Sequence, residues 1–298
     1  MELELITLFY IVDTFCVTYE PIWRKSLIES GARKRNRLCR MSLSEILTIM
    51  VYFHSSGYRT FKWYYERQVL GSSYMHSCFP NAVSYTRFLE LMTEHITPIG
   101  EFLLWLCSLS DRSGTYFIDS TSLVVCSNLR IFHNKVFSGV ASRGKTSEGW
   151  FYGLKLHITI NDKGELISLQ ISPGNISDSN MNIVSQMSKG LTGKLFADRG
   201  YISKNLFSIL FGQGLHLVTG VKNNMKNKLM PMYDKLMLRK RFIIETVNDH
   251  LKNSEQIEHT RHRSIANFIS NLLAGLVAYQ LLPKKPSIYV SKNFAIKG

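Results

Sequence analysis

Acidic residues are scarce in this sequence: 22 aspartates and glutamates stand against 36 lysines and arginines, a net charge of +14. That shortage favours a polyanionic partner, nucleic acid first and an anionic membrane surface second. Cysteine is sparse too. The five residues Cys16, Cys39, Cys78, Cys107 and Cys126 are odd in number, widely spaced and free of any C-x-x-C pair, which excludes a disulfide framework and a ribbon-type zinc site. His76 and Cys78 form an isolated pair of unrelated side chains. Long uninterrupted apolar runs are missing as well. The longest, 265–282, carries Asn267, Asn271 and Gln280 and falls short of the about 20 residues a span needs, so it reads as a buried helix. The apolar N-terminus is broken by Glu2, Glu4 and Asp13 with no basic leader, so neither a secretory signal nor a membrane partner is expected. The expected location is the cytoplasm. Repeats and low-complexity tracts are absent.

What is present suffices for a large core: 298 residues, 45% hydrophobic. The first hundred or so residues read as helices. "SLSE" at 42–45 has the Ser-x-x-Glu form of a capping box and is followed by Ile46, Leu47, Ile49, Met50 and Phe53, which predicts a helix starting near Leu43. Just before it, Arg33, Lys34, Arg35, Arg37 and Arg40 form a basic run with two open readings, a loop that tracks phosphates and a solvated loop. "FPNAVSYTRF" presents Tyr85 and Arg87 either to DNA or to the core of a small helical domain.

At "DRSGTYFIDSTSLVV" glycine and serine interrupt the helical pattern and β-branched and aromatic residues take over, which sets a boundary near Arg112. Leu154, Leu156, Ile158 and Ile160 then alternate with Lys155, His157 and Thr159, the pattern of a half-buried hairpin strand that turns at "NDKG". On that reading Lys155 and His157 lie on an exposed face, with approach to an active site as the alternative. Arg143 and Lys145 in "ASRGKTSEG" lack phosphate-loop spacing. Helix, strand, helix, strand and helix follow. The expected organisation is a helical domain over 1–112, a catalytic domain over 113–283 and a loosely held tail over 284–298.

Two aspartates sit at strand ends, Asp119 in "TYFIDSTS" and Asp198 in "KLFADRGY". Each follows residues that pin a strand and precedes residues that turn, so each carboxylate projects from a rigid edge, a placement that suits magnesium or manganese. Glu245, in "LRKRFIIETVNDHLKN", supplies a third acid. At about 100° per residue Arg241, Glu245 and Lys252 fall within roughly 40° of one another, away from the apolar stripe of Ile244, Val247 and Leu251. Alone, Glu245 would read as an ordinary ion pair with Arg241.

"FIDST", "YGLKLH", "SPGNISDS" and "ADRGY", with the helix bearing Glu245, resemble bacterial insertion-sequence transposases of the Asp-Asp-Glu class, in particular the insertion sequence 982 group. The resemblance runs through nearly the whole chain, from "SYTRFLEL" to "TRHRSIANF", and the three acids stand 79 and 47 residues apart. It implies an α/β fold with a ribonuclease-H-like mixed sheet flanked by helices, after a helical N-terminal domain that binds DNA ends. Asp119, Asp198 and Glu245 would hold two divalent ions, Mg2+ or Mn2+, for hydrolysis at the element's ends and transfer of the freed 3′-hydroxyl.

The implied partner is double-stranded DNA, both terminal inverted repeats and target, handled by a homodimer or larger assembly in the bacterial cytoplasm at the nucleoid. Of the related signature Tyr-x2-Arg-x3-Glu-x6-Lys the chain keeps Arg241, Glu245 and Lys252 but has Leu238 in place of the tyrosine. By resemblance Arg241 and Lys252 contact phosphates. Arg239 and Lys240 extend them, in a basic stretch that also holds Lys222, Lys226, Lys228 and Lys235. Competing readings are a ribonuclease-H-like nuclease or resolvase that does not join strands and a transposase-derived DNA-binding protein without activity. An aspartyl-nucleophile phosphatase is disfavoured, since "DST" lacks a second aspartate two residues after Asp119.

Overall fold

A computed structural model describes residues 4–35, 39–146, 149–221, 225, 229–258 and 262–288. The first part is helical: α1 (Leu5–Glu29), α2 (Leu43–Ser55), α3 (Phe61–Tyr64, running into a π-turn), α4 (Ser73–Cys78), α5 (Tyr85–Glu94) and α6 (Ile96–Leu109). Strands and helices then alternate: β1 (Thr115–Cys126), a 3-10 turn at Asn128–His133, β2 (Ser142–Thr146), β3 (Gly149–Asn161), β4 (Leu166–Pro173), α7 (Met181–Met187) and β5 (Gly193–Ala197). After a 3-10 turn at Arg199–Tyr201 come α8 (Lys204–Gly212), β6 (Leu215–Thr219), α9 (Met232–Arg239), α10 (Phe242–Asn253) and α11 (Ile265–Gln280).

The chain divides into two compact units, Met1–Leu106 with Leu251–Pro283, and Cys107–His250 with Lys284–Gly298. The division differs from the expected single cut near Arg112, and residues 251–283 group with the helices of the first unit rather than with the sheet. The physical reason is α11, whose apolar length finds its partners in α2 and α5. Residues 284–288 of the expected loose tail are held, because Ile288 N donates to Asp162 O at 2.8 Å.

In the helical unit, α2 starts at Leu43 for the reason its sequence gave. Ser42 Oγ accepts from Glu45 N at 3.1 Å and Ser42 N donates to Glu45 Oε2 at 2.7 Å, which pairs two otherwise orphaned backbone groups. Leu8 and Val12 of α1, Ile46, Leu47 and Ile49 of α2, Phe88 of α5, Phe102 of α6 and Leu272 and Leu276 of α11 are fully buried. Each contributes about 1.5–3 kcal/mol of transfer free energy. By length and composition α1 could cross a membrane, at a mean hydropathy of 1.4, and Ile6, Tyr10 and Val17 on it are exposed.

His54 of α2 is buried with Nδ1 donating to Glu255 O at 2.6 Å, and burial pulls its pKa down to about 4. An unfolded histidine titrates near 6.5, so below that pH the unfolded chain takes up a proton that the folded one refuses, and stability falls as pH drops from about 6.5 to 4. Urea unfolding should lose about 2 kcal/mol from this one residue between pH 7.5 and 5. His54→Gln should show a drop smaller by that amount, and an unchanged drop would remove His54 as its source.

In the second unit the sheet order is β2-β3-β1-β5-β6, with β4 also paired to β3. β1 runs antiparallel to β3 on one side and parallel to β5 on the other, and β5 runs parallel to β6. This is the expected mixed sheet flanked by helices. Tyr116 and Ile118 of β1, Leu195 and Ala197 of β5, and Leu215 and Leu217 of β6 close one core with Ile183, Val184 and Met187 of α7 and Leu206 and Leu210 of α8. On the opposite face Phe117 stacks on Phe196 at 5.5 Å, and Lys194 binds the buried Asp234 of α9 at 2.5 Å.

β3 corrects the half-buried hairpin. It lies inside the sheet with both faces covered, so Lys155, His157 and Thr159 are buried. Burial is tolerated because partners exist: His157 Nε2 lies 2.8 Å from Ser172 Oγ and Lys155 Nζ bonds Asp178 Oδ1 at 2.8 Å. β2 was not expected at all.

Candidate active site

The parallel register of β1 and β5 sets Thr115 against Lys194, Tyr116 against Leu195 and Phe117 against Phe196. Asp119 and Asp198 each lie two residues beyond the Phe pair. With a side-chain period of two they project from the face that carries the phenylalanine stack. Asp198 follows the last residue of β5, whereas Asp119 lies inside β1, paired with Ile158, rather than at the strand end expected of it, because the ladder with β3 carries β1 on to Cys126. Asp198 keeps an extended backbone, φ −73° and ψ 177°, and its Oδ1 accepts from Gly200 N at 2.7 Å, which fixes the carboxylate as the chain turns.

Asp119 has little to balance its charge. Burial pushes its pKa up to about 7, against the lowering effects of the Ser120 backbone N–H and the Arg241 guanidinium; Asp198 and Asp178 push it further up. Asn248 Nδ2 of α10 donates to Asp119 Oδ2 at 3.4 Å. Burial, with the charges of Asp119, Asp178 and Asp198 added to it, holds the Tyr201 phenol well above the usual range, and its Oη has no hydrogen-bond partner among the described residues. A buried carboxyl whose pKa is raised with two further aspartates near it is the setting in which functional groups are found.

Glu245 is bonded by the same Arg241 whose guanidinium acts on Asp119. It sits in the first turn of α10 with its side chain 57% exposed, and Arg241 Nη2 holds Glu245 Oε1 at 2.7 Å. Beneath it Ile244, Val247 and Leu251 are fully buried, as the helical stripe predicted. Asp119 and Asp198 are related by the strand register, and Glu245 by its pair with Arg241. Among the described residues no three His, Cys, Asp or Glu side chains converge as a metal-ligand set. Asn248 is the α10 residue that reaches Asp119, one turn beyond Glu245.

The expected DNA contacts divide by their present partners. Arg239, Lys34 and Arg35 are exposed and Lys240 is half-buried. Arg33 lies 3.4 Å from Glu94 and over the Trp23 ring, so its charge is already shared. Lys252 pairs with Glu258 at 3.0 Å, and Arg87 is held by Glu90 at 2.5 Å. Arg37, Lys222, Lys226 and Lys228 lie outside the described residues.

Residues 109–265, just over half of the chain, match the family described as the transposase DDE domain. The chain belongs to this transposase family. The match covers β1 to the start of α11, and the insertion sequence 982 group within the family stays a resemblance of the sequence. No curated protein matches the transposase in sequence. Among solved structures it is similar to a cryo-EM structure of piggyBac transposase, a synaptic complex with hairpin DNA. The TM-score is 0.47 at 11% identity, over 87% of this chain and 70% of that one, a likeness too weak to carry the fold.

Sequence reasoning missed Asn248, Asp178 and Tyr201. Asn248 stands three residues after Glu245, so the helical period alone could have placed it beside the acid. Tyr201 and Asp178 stand inside "ADRGY" and "SPGNISDS", stretches whose composition marked them without assigning them a task.

Proposed function

We propose that this transposase cuts DNA phosphodiesters at the ends of its element and transfers the freed 3′-hydroxyl to target DNA. The observation that supports the reading is the register of β1 and β5, which aims Asp119 and Asp198 from one face of adjacent strands, where burial of Asp119 outweighs the Arg241 guanidinium. Two carboxylates of that kind fit a hard divalent ion, with Glu245 as the third oxygen ligand in place of its pair with Arg241. When bound, magnesium or manganese would supply Lewis-acid activation of the attacking oxygen and charge stabilisation of the leaving one. The chain's own residues do the rest. Asn248 orients Asp119, Gly200 N orients Asp198, and Arg241, once released by Glu245, offers a planar guanidinium to a phosphate. The net charge of +14 favours the DNA partner, and joining two element ends in one event calls for two copies of the chain.

The test is strand cleavage and strand transfer on a labelled duplex that carries the element's terminal sequence, with Mg2+ or Mn2+, for wild type and Glu245→Gln. Wild type should nick and join; Glu245→Gln should bind the duplex with cleavage down roughly a hundred-fold or more, a loss of about 3 kcal/mol in transition-state stabilisation. Without DNA, Mn2+ at about 100 times its Kd should stabilise wild type by about 2.7 kcal/mol and leave Asp198→Asn unmoved. If both proteins bind duplex and neither cuts, the chain is a DNA-binding protein and the metal assignment falls.

A further inference from the structure

A second feature of the catalytic unit is not used by the chemistry above. An open cleft of about 430 Å³ is lined by Arg143, Lys145, Trp150, Lys155 and the segment 174–178, whose Asp178 acts on Asp119. β2 and β3 build its wall. In their antiparallel register Lys145 faces Trp150 and Arg143 faces Tyr152, so Arg143, Lys145 and Trp150 share one face of the hairpin. The Trp150 ring is 63% exposed, with Lys145 Nζ 5.7 Å from its centroid. Next to it the 3-10 turn leaves Phe132 87% exposed, with Arg143 5.9 Å from that ring, and Asn128 Nδ2 ties the turn to Trp150 O at 2.7 Å.

The cleft is built rather than incidental. A Cβ on Gly144 would stand 2.2 Å from Gly174 O and one on Gly174 would stand 2.6 Å from Ser142 O, so only glycine allows these backbones to approach so closely. At the floor Lys155 Nζ bonds Ile176 O at 2.9 Å and Asp178 Oδ1 at 2.8 Å, while Ser120 Oγ donates to the same Asp178 oxygen at 2.5 Å. Ser120 follows Asp119 on β1, so the floor of the cleft is tied to the strand that carries Asp119 through that strand's opposite face. Among the described lining residues Asp178 is the one acid, and Lys155 already answers its charge.

Exposed aromatic faces set among cations cost solvation and order in a free protein and are satisfied by a ligand with flat rings and negative charge. Single-stranded DNA supplies both: bases stack on aromatic rings without regard to sequence, and phosphates meet the cations. A duplex keeps its bases stacked on one another and has only its backbone to offer. We infer that the β2–β3 hairpin and the 3-10 turn before it hold an unpaired DNA strand as it leaves the Asp119 site, with Trp150 as stacking platform and Arg143 and Lys145 on the phosphates. The inference rests on the cleavage reading and assigns the surface that keeps the strand in reach between cutting and joining.

The experiment uses the full chain and fluorescence anisotropy with a labelled 20-nucleotide single strand of mixed sequence and a duplex of the same sequence. Trp150→Ala should weaken single-strand binding five-fold or more and leave duplex binding within two-fold; Trp150→Phe should restore most of the loss. Arg143→Ala with Lys145→Ala should lower the slope of log K against log salt for the single strand by about 1.4, the value for two phosphate contacts. Trp150 is largely exposed, so thermal unfolding of Trp150→Ala should match wild type and exclude misfolding as the cause. Equal losses on single strand and duplex would make the surface a duplex backbone contact and overturn the proposal, as would unchanged single-strand binding. Either result with Asp119-dependent cleavage intact would leave the catalytic reading standing, whereas loss of that dependence would strike the catalytic reading alone.

Discussion

Asp119→Asn should abolish strand cleavage and make the protein more stable. The amide keeps the shape of the side chain and removes the charge, which takes away the oxygen anion that a divalent ion needs; the expected loss is roughly a thousand-fold or more in rate, about 4 kcal/mol. The stability change has the opposite sign. Burial and two neighbouring aspartates raise the Asp119 pKa to about 7, so above that pH the folded protein carries a carboxylate that the unfolded chain solvates more cheaply. Relief of that cost is worth about 1–2 kcal/mol once the partial exposure of the carboxyl is counted, visible as a higher urea midpoint at pH 8. A functional group held at a cost to the fold is the expected signature of an active site. A variant that still cuts DNA at the wild-type rate would remove Asp119 from the chemistry. One that unfolds more easily would instead make its carboxylate a structural partner.

What could be read from the sequence follows from the range of the interactions involved. The start of α2 was legible because a capping box is complete within four residues. The strand end at Asp198 was legible because it is written in the residues on either side, but Asp119 was misplaced as a strand end, since Ser120, Thr121 and Ser122 continue β1 in its ladder with β3. The side on which α10 packs was legible because Ile244, Val247 and Leu251 repeat at the helical period. The burial of β3 was not. Alternation of Leu154, Leu156 and Ile158 with Lys155, His157 and Thr159 announces one apolar face, and only β4 with its loop shows that the polar face is also covered, by Ser172 on His157 and Asp178 on Lys155. The same limit hid Asn248, whose contact with Asp119 spans 129 residues, and the return of α11 to the helical unit, where Ser270 Oγ bonds Met92 O across 178. Glu245 was placed correctly on its helix face. That Arg241 holds it is a local i, i+4 outcome the sequence also allowed.

Phe196→Ala should do the largest damage to the fold and should reach the active site through it. Phe196 and Phe117 are fully buried and stacked at 5.5 Å on the face of the sheet that carries Asp119 and Asp198, each two residues short of its carboxylate. Truncation to alanine loses the transfer free energy of a ring and leaves a cavity between β1 and β5, a cost of about 3–5 kcal/mol. Urea unfolding would show that loss as a lower midpoint with little change in slope. At temperatures where the variant is still folded, cleavage should also fall, because the two strands whose register aims the aspartates no longer share a packed contact beneath them. Phe196→Leu separates the two effects: it fills most of the cavity at a cost of roughly 1.5 kcal/mol or less and should recover cleavage in step with stability. If Phe196→Ala proved destabilised yet cut DNA at the wild-type rate, the register of β1 and β5 would be held by the ladder alone. The stack would then be a contributor to the fold with no part in aiming the carboxylates.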